Sequence, residues 1–457
     1  MINQEEDSGF VSVKFLLKDL PQDVPVTENI LRMVLKQKKY STLWVMLNFL
    51  DSTTALVAVR VPKKSKNADF FTTIKGRPIQ AVKLSEVEEV EYELMLNSTT
   101  AEMFKSAENL RATVEKNMRE MMEVENNDLF EGKRGDIKYD LQTATAQHHQ
   151  IYAFGSRTVG LGFRTSDYDV YIDMENYYRG GGETNRENSV ERIHHLLRKS
   201  KKFTDFILIP RARVPVLKVK HKETQIHCDI SVTNGLGVEN SKLLRNYLAD
   251  RRVRFAATAV KTWALQMGLT QAGQGTGSIT SYCLVWLLLY SLMRDDPAVV
   301  LPVCQLRQLH RGPKLYIDGW DCSHCELTHP KSKNNKSEIE LLHFFFNFYG
   351  SMTIKDVRQN VLCPYFGSEI PVRDFVKTES LPNEFNNYKK QAAKHKFYQM
   401  YCDSFMFVQD PVEQNHNIAK AVEGWVIDRF CRLCKTTAEL METGMTKELK
   451  YIRETRK

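Results

Sequence analysis

Apolar positions recur along this chain with two periods, and the change between them divides it. Between residues 10 and 84, the runs VSVKFLLKDLP, TLWVMLNF, TALVAVRVP and IKGRPIQAVKL predict strands, with a helix in TENILRMVLKQ and a shorter one before the last strand. An acidic stretch, SEVEEVEYEL within 85–98, reads as a connection. From Thr100 to Asn126, Met103, Phe104, Ala107, Leu110, Val114, Met118, Met121 and Met122 recur every three or four residues. That spacing predicts an amphipathic helix whose methionine stripe packs into a core. Alternation resumes in HQIYAFGS, in Asp167–Ile172 and around QIHCDISV, which read as strands with helices between them. Their polar, glycine-rich connection YYRGGGETNRENS (177–189) is expected to be mobile. From Leu243 to about 430 the pattern is mainly helical, broken by a surface loop at HPKSKNNKSE (329–338). The implied class is α+β, divided at 1–84, 85–139, 140–242, 243–435 and a basic tail at 436–457. No internal repeat is visible.

Length and composition narrow this little. A chain of 457 residues with 42% hydrophobic and 10% aromatic residues suits about three globular domains. The net charge of +8 permits binding to a polyanion without requiring it. Position matters more: Arg211, Arg213, Lys218, Lys220 and Lys222 line the approach to Asp229, and Lys199, Lys201 and Lys202 precede them. They read either as a solvated basic edge or as a path for a nucleic-acid strand. Nine cysteines without a regular framework, and a start (MINQEEDSGF) without a signal-peptide pattern, lead to the expectation of reduced thiols in a cytoplasmic protein. The longest apolar run, Tyr282–Met293, is too short to cross a bilayer and reads as a buried helix, so no membrane partner is expected. Cys322, His324, Cys325 and His329 have zinc-ligand chemistry but lack a matching second pair, and no metal is expected there.

The chemistry concentrates elsewhere. In Asp167-Tyr168-Asp169-Val170-Tyr171-Ile172 the period of two turns Asp167 and Asp169 to one strand face, and Asp229 sits on a later apolar strand. Three hard carboxylates brought together can hold two Mg²⁺ (or Mn²⁺) ions, one activating an attacking oxygen and the other neutralising a leaving pyrophosphate. Upstream, Phe154-Gly155-Ser156 ends a strand; Gly155 allows backbone to approach a phosphate, and Ser156 with the amides of the next turn can donate to it.

The order strand, Gly-Ser turn, Asp-x-Asp strand and third Asp resembles the DNA polymerase β-like nucleotidyltransferases. Downstream, GSITSYCLVWLLLYSL (277–292), ELLHFFFNFYG (340–350) and FVQDPVEQNHNIAKAV (407–422) are similar to segments of the noncanonical poly(A) polymerases and terminal uridylyltransferases. The resemblance runs from about residue 100 to 430. It implies a catalytic core at 140–242, a helical poly(A)-polymerase-associated domain at 243–435, and catalysis by Asp167, Asp169 and Asp229. Residues 10–84 resemble an RNA recognition motif. However, Leu16, Thr54, Leu56 and Val59 occupy its usual base-stacking positions, which favours a scaffold role there.

The resemblance also implies nucleotide contacts. Asn240 matches a residue bonding the sugar or base edge, with Ser241 beside it; a helix cap is the alternative for Asn240. Lys261 matches a triphosphate-contacting lysine, while Leu265 stands where a second lysine is common. Ser281 matches a phosphate or ribose contact, and Tyr282 an aromatic platform. In Asp410-Pro411-Val412-Glu413-Gln414-Asn415-His416-Asn417, the His directly before Asn is similar to the uridylyltransferase version. An imidazole N–H can donate to uracil O4, where adenine offers only an amino donor. Glu413 either orders this site or accepts from the uracil imide. The competing reading of His416 is a satisfied loop histidine. The expected activity is template-independent addition of UMP from UTP to an RNA 3′ end. Its alternatives are adenylyl transfer from ATP or an RNA-binding scaffold. The expected partners are RNA 3′ ends and RNA-decay or small-RNA-processing proteins.

Overall fold

A computed structural model describes residues 10–20, 31, 33, 44–49, 55–62, 73–74, 77–83, 98–129, 136–145, 149–181, 186–270, 278–325 and 332–449. The N-terminal region forms an antiparallel sheet in the order Trp44–Phe49, Ala55–Pro62, Phe10–Lys18, Gln80–Lys83. Leu16 and Val59 are buried, so neither is presented to a base, and Thr54 lies outside the described residues. Of the helix expected at TENILRMVLKQ, only Leu31 and Met33 are described.

A second, five-stranded sheet has the order Gln150–Phe154, Tyr168–Asp173, His227–Ser231, Val216–His221, Phe203–Ile209. Only Tyr168–Asp173 and His227–Ser231 pair in parallel; the other neighbours are antiparallel. The parallel pair is buried in the sheet centre, where Val170, Ile172, Cys228 and Ile230 join Leu217 and Val219 in one core. Helices Ile137–Thr145 and Arg186–Ser200 cover that core.

A second core joins helices Ala107–Leu129, Arg251–Gln266, Ser281–Met293, Glu338–Gly350 and Gly424–Gly444. Aromatic side chains dominate it, with Trp263 edge-on to both Phe346 and Phe430. The helix expected at 100–126 is two: Ser98–Phe104 and Ala107–Leu129. The break arises because Ser106 Oγ accepts the Asn109 N–H, capping the second helix. The methionine stripe is core as expected for Met103 and Met121, whereas Met122 is 47% exposed. Helix Gly424–Gly444 runs through the expected boundary at 435 because Ala438 and Met441 continue its buried stripe.

Two loops differ from expectation. In the glycine-rich stretch, the Tyr177 and Tyr178 amides donate to Asp173, and the Gly181 amide donates to Asp318, so 177–181 are pinned. Residues 182–185 lie outside the described set. In the expected surface loop, Asn334 is buried, donating to Asp295 and to the Pro297 carbonyl. The cysteines are free; Cys322 and Cys325 are buried, and His329 is not described. Among the described residues no helix is long and apolar enough to cross a membrane.

Candidate active site

Strand pairing decides where the carboxylates meet. Asp169 and Asp229 are direct register partners on the parallel strands, so both project from one sheet face at neighbouring-strand spacing, about 5 Å. Asp167 stands just before its strand, two positions from Asp169. All three act on one another electrostatically. Burial, then the charges of Asp229 and Asp167, push the Asp169 carboxyl up to about 7. Asp167 is raised in the same sense, by burial and then by Asp229.

The Gly-Ser turn abuts this pair. Phe154 is the cross-strand partner of Asp169, and Gly155 follows with φ +79° and ψ −162°, a conformation essentially restricted to glycine. A Cβ at Gly155 would lie 2.0 Å from Asp169 Oδ2. Gly155 N–H donates to Ser241 Oγ at 2.8 Å, and that hydroxyl donates in turn to the Gly237 carbonyl. Ser241 thus fastens the turn to the helix Leu236–Tyr247.

A cavity of about 540 Å³ opens over these elements. Gly155, Ser156, Asp169 and Asp229 line it from the sheet, and Asn240, Ser241 and Lys261 from the adjoining helices. Ser281, Tyr282, Glu413 and His416 complete it from the helical half. Asn240 lies in the second turn of its helix and Gly235 is the N-cap, so the capping alternative fails. The Asn240 Oδ1 and Thr233 Oγ1 atoms are buried without a protein partner, as expected of a wall that bonds a polar ligand. Lys261 is buried, donates to the Leu161 carbonyl at 2.5 Å and is lowered to about 8 by burial, with the Asp169 charge opposing. Tyr282 packs edge-on to Trp286 and donates to Asp410 Oδ2 at 3.2 Å.

Of Arg211, Arg213, Lys218 and Lys220, expected along a nucleic-acid path, two are committed inward. Lys218, the register partner of Asp229 on the next strand, places Nζ 2.6 Å from Asp229 Oδ2. Burial opposes its charge, but the bond to Asp229 and the three carboxylates keep its pKa raised. Arg213 lines the cavity, with Nη1 2.5 Å from Glu413 Oε1 and Nη2 3.2 Å from His416 Nδ1. Arg211 and Lys220 are not among the cavity-lining residues, nor is Asp167. Sequence reasoning passed over Asp318, Trp320 and Tyr398, which also line the cavity. For Asp318 the signal was the Asp-Gly pair of YIDGW, a turn in which Asp318 takes a positive φ.

The donor set suits a divalent cation. The three carboxylates are hard oxygen ligands, their mutual repulsion is relieved by added positive charge, and Lys218 already supplies one such charge. Among the described residues no group of three His, Cys, Asp or Glu side chains is gathered that could by itself hold a metal ion. Mg²⁺ takes one or two carboxylates and completes its shell with water and substrate phosphates, so the register pair Asp169–Asp229 would hold it only together with a bound triphosphate.

A mixed sheet carrying paired aspartates and a Gly-Ser turn thus faces a helical half across one cleft. Residues 97–249 match the family model of the mitochondrial-like poly(A) RNA polymerase central palm domain. Among the chain's relatives are proteins named as poly(A) polymerases and as terminal uridylyltransferases. It is 28% identical over 320 residues to the speckle targeted PIP5K1A-regulated poly(A) polymerase of Danio rerio, covering 62% of this chain and 40% of that one. It is 23% identical over 274 residues to terminal uridylyltransferase 4 of Homo sapiens, covering 60% of this chain and 15% of the relative. The chain therefore matches less than half the length of either relative. The crystal structure of mtPAP in complex with UTP shares the fold with a TM-score of 0.57 at 18% identity, over 94% of this chain and 92% of that one. A crystal structure of the Cid1 poly(U) polymerase aligns with a TM-score of 0.51 at 23% identity, over 67% and 84%.

Proposed function

We propose that this chain is a template-independent RNA 3′-terminal uridylyltransferase. The observation that carries the reading is a single cavity lined both by the Asp169–Asp229 pair and by His416 with its polar neighbours. The first supplies phosphoryl-transfer chemistry and the second a means of choosing a base.

Asp167, Asp169 and Asp229 are the residues that would hold Mg²⁺ (or Mn²⁺). Such cations would supply Lewis acidity toward the primer 3′-hydroxyl and positive charge toward the departing pyrophosphate. Asp229 orients the 3′-hydroxyl and receives its proton. The 3′ oxygen attacks the α-phosphorus of UTP in line, forming the new ester bond and expelling pyrophosphate. Ser156 donates to the triphosphate, and the Lys261 charge stabilises the leaving group. Asn240, whose buried Oδ1 has no protein partner, accepts a hydrogen bond from a ribose hydroxyl. Tyr282 lies under the base, and His416 donates to uracil O4. Glu413 orders this corner, because its carboxylate is held by Arg213. RNA 3′ ends, RNA-decay or small-RNA-processing proteins and a cytoplasmic setting belong to the same proposal.

Extension of one labelled RNA primer with each of the four NTPs tests it. UTP should support the longest products. A clear preference for ATP would turn the reading to adenylyl transfer, the activity named for the poly(A) polymerases among the relatives. Unchanged product from Asp229→Ala would remove catalysis from this site altogether.

A further inference from the structure

We infer that Arg213 is a specificity-determining residue that fixes the ring tautomer of His416 and so decides which base edge the cavity accepts. This rests on the uridylyl reading above and deepens it.

A guanidinium donates and never accepts. Arg213 Nη2 lies 3.2 Å from His416 Nδ1, hydrogen-bond distance, so Nδ1 must be the acceptor in that contact. The competing partner of the same nitrogen is Asp410 Oδ2, at 3.7 Å. An Nδ1–H would need that carboxylate close, yet Asp410 is engaged elsewhere. Its Oδ1 accepts from the Val412 and Glu413 amides, and its Oδ2 from Tyr282. With Nδ1 accepting, the ring proton sits on Nε2, and the side chain offers the cavity a donor. Arg213 is itself held: Glu413 Oε1 takes its Nη1 at 2.5 Å, across a separation of 200 residues. The Glu413 carboxylate is therefore an anchor for the arginine, and the arginine orients the histidine.

This arrangement explains a choice that stacking and size cannot make. Uracil and cytosine are the same size and stack alike on Tyr282. They differ at one edge, where uracil O4 accepts and cytosine N4 donates. An Nε2–H pairs with the first and faces a second donor in the other. Releasing Arg213 frees the imidazole to turn its proton to Nδ1, toward Asp410. Nε2 then becomes an acceptor, and cytosine is welcomed.

The decisive measurement is kcat/KM for UTP and CTP on one RNA primer, for the wild type and for Arg213→Met and Arg213→Lys. The UTP-to-CTP ratio should fall by about 10-fold in Arg213→Met, the cost of one mispaired polar contact, and recover in Arg213→Lys, which restores a donor. A merely structural role would lower both nucleotides together and leave the ratio unmoved, and that result overturns the inference. If Arg213→Met does not fold, the tautomer is read directly in the wild type by long-range ¹H–¹⁵N NMR, with His416→Gln assigning the signal. An unprotonated Nδ1 supports the inference and a protonated Nδ1 overturns it. A wild type that prefers ATP sinks the uridylyl reading itself, whereas a UTP preference with an unchanged variant ratio sinks only the role of Arg213.

Discussion

Replacing Gly155 by alanine adds one methyl group in a place where the structure leaves none. The backbone there, at φ +79° and ψ −162°, costs a non-glycine residue about 1–3 kcal/mol. The new Cβ lies 2.0 Å from Asp169 Oδ2 and 2.8 Å from its Cγ. To restore even a 3.0 Å contact, the carboxylate must retreat by about 1 Å, and the neighbouring Asp229 constrains where it goes. A displacement of that size in a reacting constellation costs on the order of 10²-fold in rate. The expected phenotype is thus asymmetric: a loss of about 100-fold in kcat for primer extension, with thermal stability lowered by only about 1–3 kcal/mol. Single-turnover extension at saturating Mg²⁺ and nucleotide measures the first, and thermal melting the second. A Gly155→Ala enzyme that extends its primer within threefold of the wild type would refute the reasoning.

Further outcomes follow from the same geometry. Because the folded Asp169 carboxyl titrates near 7 rather than 3.8, ionising it opposes folding, so metal-free stability falls as pH rises from about 4 through 7. Asp169→Asn should therefore gain stability over the wild type at pH 8 but not at pH 4, with a ceiling of about 4 kcal/mol. Denaturant melts in EDTA check both arms. Mg²⁺ affinity should weaken as pH drops below about 7, because binding must displace the Asp169 proton; isothermal titration in buffers of different ionisation enthalpy reads that proton. Lys218→Met removes the ammonium that competes for Asp229, and the Mg²⁺ concentration for half-maximal activity should fall; a rise would show that the lysine supports the metal instead. His416→Ala should cut UTP-over-ATP selectivity by about 10–100-fold while both nucleotides remain substrates.

The carboxylate site was legible because it rests on local rules. Period two put Asp167 and Asp169 on one face, and an apolar run around Asp229 marked a central strand. The same holds for Tyr282–Met293, a helix buried from Cys283 onward, and for the methionine stripe up to Met121. What escaped depended on partners far along the chain. Lys218 and Arg213 looked like members of a basic track, since charge alone carries no address. Pairing of the last two strands brings Lys218 to Asp229, and closure of the helical half brings Glu413 and His416 to Arg213. The glycine-rich loop misled for a similar reason, as Asp173 and Asp318 hold a segment whose composition promises mobility. Met122 failed at the stripe's edge, one residue past its buried face.

The proposed chemistry requires Asp169 and Asp229 to share a cation beneath a nucleotide. Crystals grown with Mn²⁺ and a non-hydrolysable UTP analogue, measured at the manganese absorption edge, test that directly. The expected result is an anomalous peak within coordination distance of both carboxylates and of the triphosphate, with the Lys218 ammonium displaced from Asp229. Nucleotide bound in the cavity with no metal touching either aspartate would contradict it.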